Sequence, residues 1–288
     1  MTIGNFDGVH LGHQALLSEV QRQSRSARGP AVAVTFSQHP LSILRPEAFQ
    51  PELTTLQQRV ELLAEHGADH VIVLETSRDL LNLSARAFFE QIIRDRLRAR
   101  TIVEGFNFGF GHNREGSIET LQSLGREVGV NIVLVPAFLM DGKPVSSSRV
   151  RNELLAGRVA VARAMLGRCF RLSGVVKPGQ KRGQTIGFPT ANLADVATLV
   201  PGDGVYAATV LHEGKAWPAA VNIGANPTFG EQTRKIEAHL IGFHGDLYGE
   251  QLDVDFVERL RDTRPFAGVE ELTTQLQNDV GRVKQMVQ

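Results

Sequence analysis

Two histidines near the start of the chain, His10 and His13, have the spacing that most suggests chemistry. They follow the apolar run at residues 1–3, which predicts the end of a β-strand, and they precede residues 14–23, whose apolar positions recur at helical spacing. A strand-to-helix corner favours anions, because free N–H groups and the positive end of the helix dipole point the same way. We therefore expect both imidazoles to donate to one phosphate and to stabilise charge developing on phosphorus. The simpler alternative is a tight turn with two solvated histidines.

The ten residues 4–13, Gly-Asn-Phe-Asp-Gly-Val-His-Leu-Gly-His, contain glycines that let the backbone approach a ligand closely. The stretch resembles the His-x-Gly-His signature of nucleotidyltransferases. In its full length it resembles the adenylyltransferase half of the bacterial bifunctional riboflavin kinase/FMN adenylyltransferase (FAD synthetase) family. This resemblance implies that His10 and His13 are catalytic. It also implies nucleotide binding by Gly4, Asn5, Phe6, Asp7 and Gly12.

The first half of the chain alternates apolar runs with amphipathic segments. Strands apolar on both faces are typical of a parallel sheet covered on both sides, which binds ligands beyond its carboxyl edge where the strand order reverses. The first strand has at most three residues, whereas relatives usually carry a longer run, so either a sheet edge is missing or the natural start lies upstream. The pattern predicts strands at 31–36, 71–74, 101–103 and 132–135, and helices at 55–66, 84–97 (N-capped by Ser84) and 118–128.

A loop that interleaves phenylalanine with glycine follows the strand at 101–103. Phe106, Phe108 and Phe110 offer flat apolar surface that suits an isoalloxazine ring. A hydrophobic turn packed into the core is the simpler alternative, and the residues taken alone favour it. The loop resembles the Asn-Phe-x-Phe-Gly flavin-binding loop of the same family. The resemblance implies that Asn107 and Phe108 bind the flavin.

Three consecutive serines precede two arginines at residues 146–151. Hydroxyl groups at a helix start supply caps and phosphate donors, and an arginine one turn later could clamp a triphosphate. A serine N-cap followed by two exposed arginines is the alternative. The run resembles the Ser-Ser-Thr-x-x-Arg element of the family, which implies that Ser146 and Ser147 bind nucleotide and that Arg151, in preference to Arg149, is catalytic.

The pattern changes to short alternating runs after a predicted helix at 150–166. Such runs, separated by turns rich in Gly, Pro, Asn and Asp, indicate an antiparallel barrel or sandwich. We therefore predict a first domain at 1–166 and a second at 167–288. The predicted strands are 170–176, 204–211, 217–223, 235–241 and 252–256, and a helix at 269–280 follows them.

Residues 174–192 form the second candidate site. Their glycines expose N–H groups suited to phosphates, and Thr190 and Asn192 offer the hard oxygens that Mg²⁺ prefers. A glycine-rich β-turn region is the simpler alternative. The stretch resembles the Gly-x-Pro-Thr-Ala-Asn signature of riboflavin kinases, which implies that Thr190 and Asn192 hold Mg²⁺ and ATP. The resemblance also implies nucleotide binding by Gly179, Arg182, Gly183, Gly187 and Pro189.

Glu237 alternates with apolar neighbours and alone would be an exposed strand carboxylate. In the resemblance it matches the kinase general base, Arg261 matches a nucleotide-binding arginine, and residues 221–229 match a family turn. The resemblance spans roughly residues 2–279, and its two independent signatures occur in the expected order. They imply a Rossmann-like α/β nucleotidyltransferase domain followed by an antiparallel β-barrel riboflavin kinase domain with a terminal helix.

The composition of the chain limits the classes of binding partner that we expect. Lys plus Arg (31) equals Asp plus Glu (31), so no global field attracts nucleic acid or an anionic membrane. Cys169 is the single cysteine, which excludes an internal disulfide and fits a reducing cytoplasm. We find neither an apolar run long enough to span a membrane nor a signal peptide. Oligomeric state stays open.

The resemblance implies a cytoplasmic enzyme of FAD biosynthesis. It would use ATP and Mg²⁺ to convert riboflavin to FMN and FMN to FAD. Three alternatives remain: a kinase whose transferase half is impaired by the short first strand, a non-catalytic flavin-binding protein, and a nucleotidyltransferase for another substrate.

Overall fold

The computed structural model describes residues 1–180, 182–225 and 234–287. The chain divides into two compact units, Met1–Ser146 and Ser147–Gln288. This division lies before the predicted domain boundary at Leu166. Within the described ranges, no helix combines the length and the apolar character needed to cross a membrane.

The first unit alternates strands and helices, as predicted. The helix at Ala85–Phe88 continues without interruption as a π-helix at Phe89–Arg96. Ser84 is its N-cap, as expected, and its hydroxyl accepts a hydrogen bond from the N–H of Ala87 at 3.1 Å. In chain order the elements are β1 (Thr2–Ile3), α1 (Leu11–Ala27), β2 (Val32–Phe36), α2 (Pro40–Leu44), α3 (Leu56–Glu65), β3 (His70–Leu74), α4 (Arg78–Leu81), α5 (Ala85–Phe88), β4 (Thr101–Gly105), α6 (Ile118–Val128), β5 (Asn131–Val135), β6 (Leu139–Met140) and β7 (Lys143–Pro144).

The strands of this unit run parallel, with β1 beside β2 and β2 beside β3, and with β4 beside β5. Met1 joins the two groups, because its N–H group donates to Thr101 O at 2.8 Å and its carbonyl accepts from Val103 N at 2.8 Å. β4 therefore lies beside β1, and the order is 3-2-1-4-5. The order reverses between β1 and β4, so the loops after these strands flank the position where such sheets bind ligands.

Helices cover both faces of the sheet, as the apolar strands predicted. Neighbouring residues of β2 show this, because Val34 packs with the π-helix and α6, whereas Ala33 packs with α1 and α3. The sheet is therefore an interior layer, and only its edges and loops are available to a ligand.

A buried carboxyl group, Glu104, connects β4 to β1. Its Oε1 accepts from Ile3 N at 2.7 Å and from the Thr2 hydroxyl at 3.3 Å. Burial raises the pKa of Glu104 from its ordinary value of 4.5 to about 8, against the opposing effect of these hydrogen bonds. The group is thus a neutral acid near pH 7.

Replacing Glu104 with Gln should stabilise the protein increasingly as the pH rises. Because its pKa is raised, Glu104 makes its full contribution to the stability of the wild type below pH 4.5. This contribution is lost as the pH rises towards 8, whereas the amide of glutamine does not titrate. Urea unfolding from pH 5 to 9 should show a growing difference that reaches roughly 2–5 kcal/mol. The exposed Glu65→Gln variant is the control, and a difference independent of pH would contradict the prediction.

The second unit is an antiparallel barrel beside helices. The barrel closes in the order β10-β11-β12-β9-β8-β13, which decides between the barrel and the sandwich that the sequence left open. Its strand β9 begins at the end of the glycine-rich stretch 174–192, where no strand was predicted. The elements are α7 (Ser147–Leu155), α8 (Val159–Leu166), β8 (Phe170–Lys177), α9 (Arg182–Thr185), β9 (Ala191–Ala194), β10 (Gly204–His212), β11 (Lys215–Gly224), β12 (Lys235–Leu240), β13 (Gln251–Arg261) and α10 (Val269–Met286).

The prediction of one helix over residues 150–166 is wrong, because α7 and α8 are separated at Gly157. This glycine has a φ of +73°, a left-handed conformation that ends α7. A Cβ here would lie 2.9 Å from the Arg259 Nε and the Tyr206 hydroxyl. The close approach of these two barrel side chains therefore leaves room only for glycine at this position.

The terminal helix α10 is held to the barrel by a buried ion pair. Asp279 is fully buried and accepts hydrogen bonds from Arg261 at 2.8 and 3.0 Å and from Gln275 at 2.9 Å. Val283 of α10 packs with Val205 of β10. Arg261 thus ties α10 to β13, and its predicted contact with nucleotide stays a prediction.

Candidate active sites

The corner after β1 is a turn with strained backbone. Phe6 and Val9 have φ values of 48° and 37°, which are unusual for residues that carry a side chain. The buried carboxylate of Asp7 accepts from the N–H groups of Leu53 at 2.7 Å and Thr54 at 3.2 Å. Asp7 therefore anchors the turn to the segment before α3. Its predicted contact with nucleotide stays a prediction.

The turn brings the two predicted histidines together. His10 is the N-cap of α1, and its Nδ1 accepts from the backbone N–H of His13 at 3.4 Å. The two rings stack with centroids 3.7 Å apart. A Cβ on Gly12 would lie 3.1 Å from the His10 ring, so glycine makes room for the stack. The edge of Phe6 packs on His13 at 5.1 Å.

The protonation states of the pair follow from its surroundings. Because His10 accepts at Nδ1, its neutral ring carries the proton at Nε2. Burial, with added repulsion from His10 and Arg59, lowers the pKa of His13 well below 6.5. At pH 7 His13 is therefore neutral, and its buried Nδ1 has no hydrogen-bond partner within the part of the chain that the structure describes.

Arg59, which was not predicted, lies beneath this corner. Its guanidinium is fully buried and donates to the carbonyl of Asn5 at 2.9 Å and to the carboxylate of Glu52 at 2.9 Å. The arginine thus holds the backbone before the histidines and places positive charge near them. Its spacing of four residues from Leu63 on the buried face of α3 is the only sequence signal that could have revealed it.

The loop after β2 contributes a second residue that was not predicted, His39. Its Nδ1 accepts from Leu41 N at 3.1 Å, and its Nε2 lies 3.1 Å from the amide of Asn5. His39 therefore orients Asn5. Gly4 is the residue before Asn5, and its N–H donates to Val34 O at 3.0 Å.

The phenylalanine loop after β4 divides between core and surface. Phe110 is buried, and Phe108 stacks on it with a centroid distance of 5.5 Å. Phe106 is 59% exposed, and the neighbouring Asn107 is also exposed, with its carbonyl held by Arg114 at 3.1 Å. Phe106 is thus the most exposed ring of the loop, Phe108 is half-buried, and the predicted contact of Asn107 and Phe108 with flavin stays a prediction.

The serine loop begins close to the histidine corner. The carbonyl oxygen of Val145 would lie 3.4 Å from a Cβ on Gly12, so the residue before Ser146 borders the turn. Ser147 is the first residue of α7 in the second compact unit. In that helix Arg151 is buried and Arg149 is half-buried. The roles of these residues in phosphate binding stay predictions.

Strand register brings the predicted kinase residues together. Glu237 on β12 lies directly opposite Asn192 on β9, and on its other side it lies opposite Asn222 on β11. Ile236 and Ala238 are buried, so the alternation of the strand puts these three polar residues on the opposite face. Asn222 was not predicted as a site residue, although the motif at 221–229 contains it.

Two of the glycines in residues 179–187 are required by close contacts, and a third has a left-handed backbone. A Cβ on Gly179 would lie 2.2 Å from the amide nitrogen of Asn192, and one on Gly183 would lie 2.3 Å from Phe188 O. Gly187 has a φ of +85°. Arg182 is the first residue of α9. The part of the predicted turn at residues 226–229 lies outside the described residues.

The oxygen donors suit a cation that arrives with phosphate. Thr190 is exposed directly before β9, and Asn192 is half-buried within it. Throughout the described ranges no cluster of three or more His, Cys, Asp or Glu side chains is arranged to hold a metal ion. Two neutral oxygens are the kind of incomplete set that Mg²⁺ accepts when phosphates complete its coordination.

Residues 1–149 match the family model described as FAD synthetase, and residues 166–287 match the model described as riboflavin kinase. The fold and its sites therefore define a nucleotidyl-transfer domain joined to a flavin-kinase domain. The chain is 37% identical over 280 residues to the bifunctional riboflavin kinase/FMN adenylyltransferase of Escherichia coli (strain K12), which covers 97% of this chain and 90% of the relative. The chain belongs to the family of bifunctional riboflavin kinases/FMN adenylyltransferases.

Two further relatives agree over the same length. The enzyme of the same description from Pseudomonas fluorescens is 37% identical over 284 residues, covering 98% of this chain and 91% of the relative. A solved structure from Streptococcus pneumoniae, described as a macrolide-efflux protein, has a TM-score of 0.88 and 31% identity, covering 98% of this chain and 93% of that chain. The two-unit architecture is therefore shared from end to end.

Proposed function

We propose that this chain phosphorylates riboflavin to FMN with one ATP and adenylylates FMN to FAD with a second, releasing pyrophosphate. One observation carries the proposal. The same chain holds a stacked histidine pair at a strand-to-helix corner of one unit and a pair of facing polar residues, Asn192 and Glu237, on the barrel of the other. The substrates are small molecules, and the proposal includes neither nucleic acid nor membrane and places the enzyme in the cytoplasm.

In the transferase reaction, an oxygen of the FMN phosphate attacks the α-phosphorus of ATP in line with the bond to the β-phosphate, which breaks. No side chain becomes covalently attached. The Nε2 proton of His10 is a donor for the developing oxyanion, and the N-terminus of α1 adds a partial positive charge. Arg151 would clamp the triphosphate, with hydroxyl groups of Ser146 and Ser147 as further donors. Catalysis then consists of positioning and charge stabilisation.

In the kinase reaction, the terminal ribityl hydroxyl of riboflavin attacks the γ-phosphorus of ATP, and ADP leaves. Glu237 accepts the hydroxyl proton, while the glycine turn at 179–187 offers N–H groups to the phosphates. Thr190 and Asn192 would hold Mg²⁺. When bound there, Mg²⁺ would neutralise charge on the phosphates during transfer. The functional boundary of the proposal is the one predicted from the sequence, after Leu166.

A product assay tests the proposal. Incubation with riboflavin, ATP and Mg²⁺, followed by chromatography, should yield first FMN and then FAD. Incubation with FMN in place of riboflavin should yield FAD directly. Formation of FMN without FAD would indicate a kinase with an impaired transferase. The absence of both products would indicate a flavin-binding protein without catalytic activity.

The exposed aromatic of the flavin loop gives a sharper prediction. Phe106→Ala should raise the KM for FMN in the transferase reaction by roughly five- to thirtyfold, because the loss of a stacked ring costs about 1–2 kcal/mol. The KM for ATP and the rate of FMN formation should not change. Phe138→Ala, which also removes a partly exposed ring from this unit, is the control. An unchanged KM for FMN would place the flavin elsewhere.

A further inference from the structure

One histidine on the kinase barrel has no part in the reaction proposed above. His239 follows Glu237 by two residues on β12, so both side chains are on the same face of the strand. Both are half-buried. His239 therefore lies beside the proposed base.

His239 contacts the signature segment directly. Its Nδ1 lies 2.8 Å from the carbonyl oxygen of Pro189, and its ring meets the ring of Phe188 edge-on with centroids 5.4 Å apart. A carbonyl oxygen only accepts hydrogen bonds, so Nδ1 must donate. This contact fixes the proton on Nδ1 and attaches two consecutive residues of the segment to β12.

The contact begins where the strand pairing ends. β12 and β9 are paired from Glu237 with Asn192 to Ala238 with Ala191. The segment leaves the sheet before Ala191, and Pro189 is the next residue that β12 holds. Thr190 therefore lies between a residue held by the sheet and a residue held by His239.

Phe188 is attached from its other side as well, because its N–H donates to Gly183 O at 2.8 Å. The segment is thus held between the glycine turn and β12. Without the His239 contact, the attachment of Pro189 to β12 is lost, and the hydroxyl of Thr190 is exposed to displacement. A displaced hydroxyl would lose its contact with the phosphates of ATP, which would lower the affinity for ATP.

We infer that His239 is a positioning residue of the kinase site, which holds Phe188 and Pro189 so that Thr190 faces the phosphates of ATP. The inference depends on the proposed kinase reaction, because it gives Thr190 its purpose. His239 itself touches no reacting atom in this account.

Three variants test the inference. His239→Ala removes the donor. His239→Asn keeps one, because the amide nitrogen of asparagine is bonded to Cγ, as Nδ1 is in histidine. His244→Ala, an exposed histidine of the same unit, is the matched control. We expect His239→Ala to raise the KM for ATP of FMN formation by roughly five- to twentyfold, as the loss of one anchoring hydrogen bond implies.

The KM for riboflavin should stay the same, and His239→Asn should return the KM for ATP to within about twofold of the wild type. Calorimetric titration of ATP into each variant without riboflavin should show the same order of affinities. FAD formation from supplied FMN should be equal in all four proteins.

The outcomes separate the inference from its premise. Absence of FMN formation by the wild type overturns the proposed function. An active wild type with a His239→Ala variant of normal KM overturns the inference alone. A fall in kcat at constant KM also overturns it, because a less stable barrel reduces the active fraction without weakening ATP binding. The inference is also overturned if His239→Asn has the wild-type melting temperature but does not restore the affinity for ATP.

Discussion

His10→Asn should reduce FAD formation from supplied FMN by about 10²–10³-fold, the usual cost of removing one oxyanion donor. Asparagine is the informative replacement. Its side-chain oxygen can accept the N–H of His13, so the N-cap of α1 is kept while the donor at the Nε2 position is lost. His10→Ala should be equally inactive and also less stable by about 1 kcal/mol, because it loses the cap.

The same variants should make FMN from riboflavin at the wild-type rate, since the barrel belongs to the other compact unit. The initial rates of both products, measured on one preparation, provide the comparison. His70→Asn is a suitable control, because this exposed histidine starts β3 and therefore lies at the opposite edge of the parallel sheet. Retention of FAD formation by His10→Asn would show that the histidine serves only as a cap.

The histidine corner could be predicted because its signals are local. The strand end, the glycines and the helix start lie within residues 1–17, and the structure shows the rings of His10 and His13 stacked at the predicted junction. What supports the corner comes from elsewhere in the chain. Asp7 is anchored at Thr54 and Asn5 at Arg59, and neither distant segment carries a pattern that names its partner.

The two errors in the second half also have distant causes. An isolated glycine is tolerated in a helix, so Gly157 alone did not indicate a break. The space for a side chain at this position is taken by Tyr206 and Arg259, which belong to β10 and β13. Strand β9 was not predicted because its four residues are short of a clear pattern and follow a glycine-rich turn. It is a strand because it pairs with β8 and β12.

The same pairing explains why Glu237 could not be identified from its local pattern. Alternation with Ile236 and Ala238 predicts only that its side chain points away from the barrel interior. Register adds the rest, because it aligns Asn192 and Asn222 on either side of the carboxylate. A carboxylate beside two amides, next to the proposed phosphate turn, is placed to accept a proton as well as to orient the substrate.

Glu237→Gln tests the difference between these two roles. The amide keeps the shape and the hydrogen-bonding capacity of the side chain but accepts no proton. FMN formation should therefore fall by about 10²–10⁴-fold in kcat, the range for removal of a general base, with a smaller change in the KM for ATP. FAD formation from supplied FMN should be unchanged. Glu250→Gln, an exposed carboxylate in the turn before β13, controls for loss of charge on the barrel.

Glu237→Asp adds a readout that distinguishes a base from an orienting group. Its shorter carboxylate still accepts a proton, so this variant should keep more of the wild-type kcat than Glu237→Gln if Glu237 is the base. An aspartate variant as slow as the amide variant would assign the proton to another group. In that case Glu237 would only hold the riboflavin hydroxyl in line, and the two flanking amides would be its partners in that task.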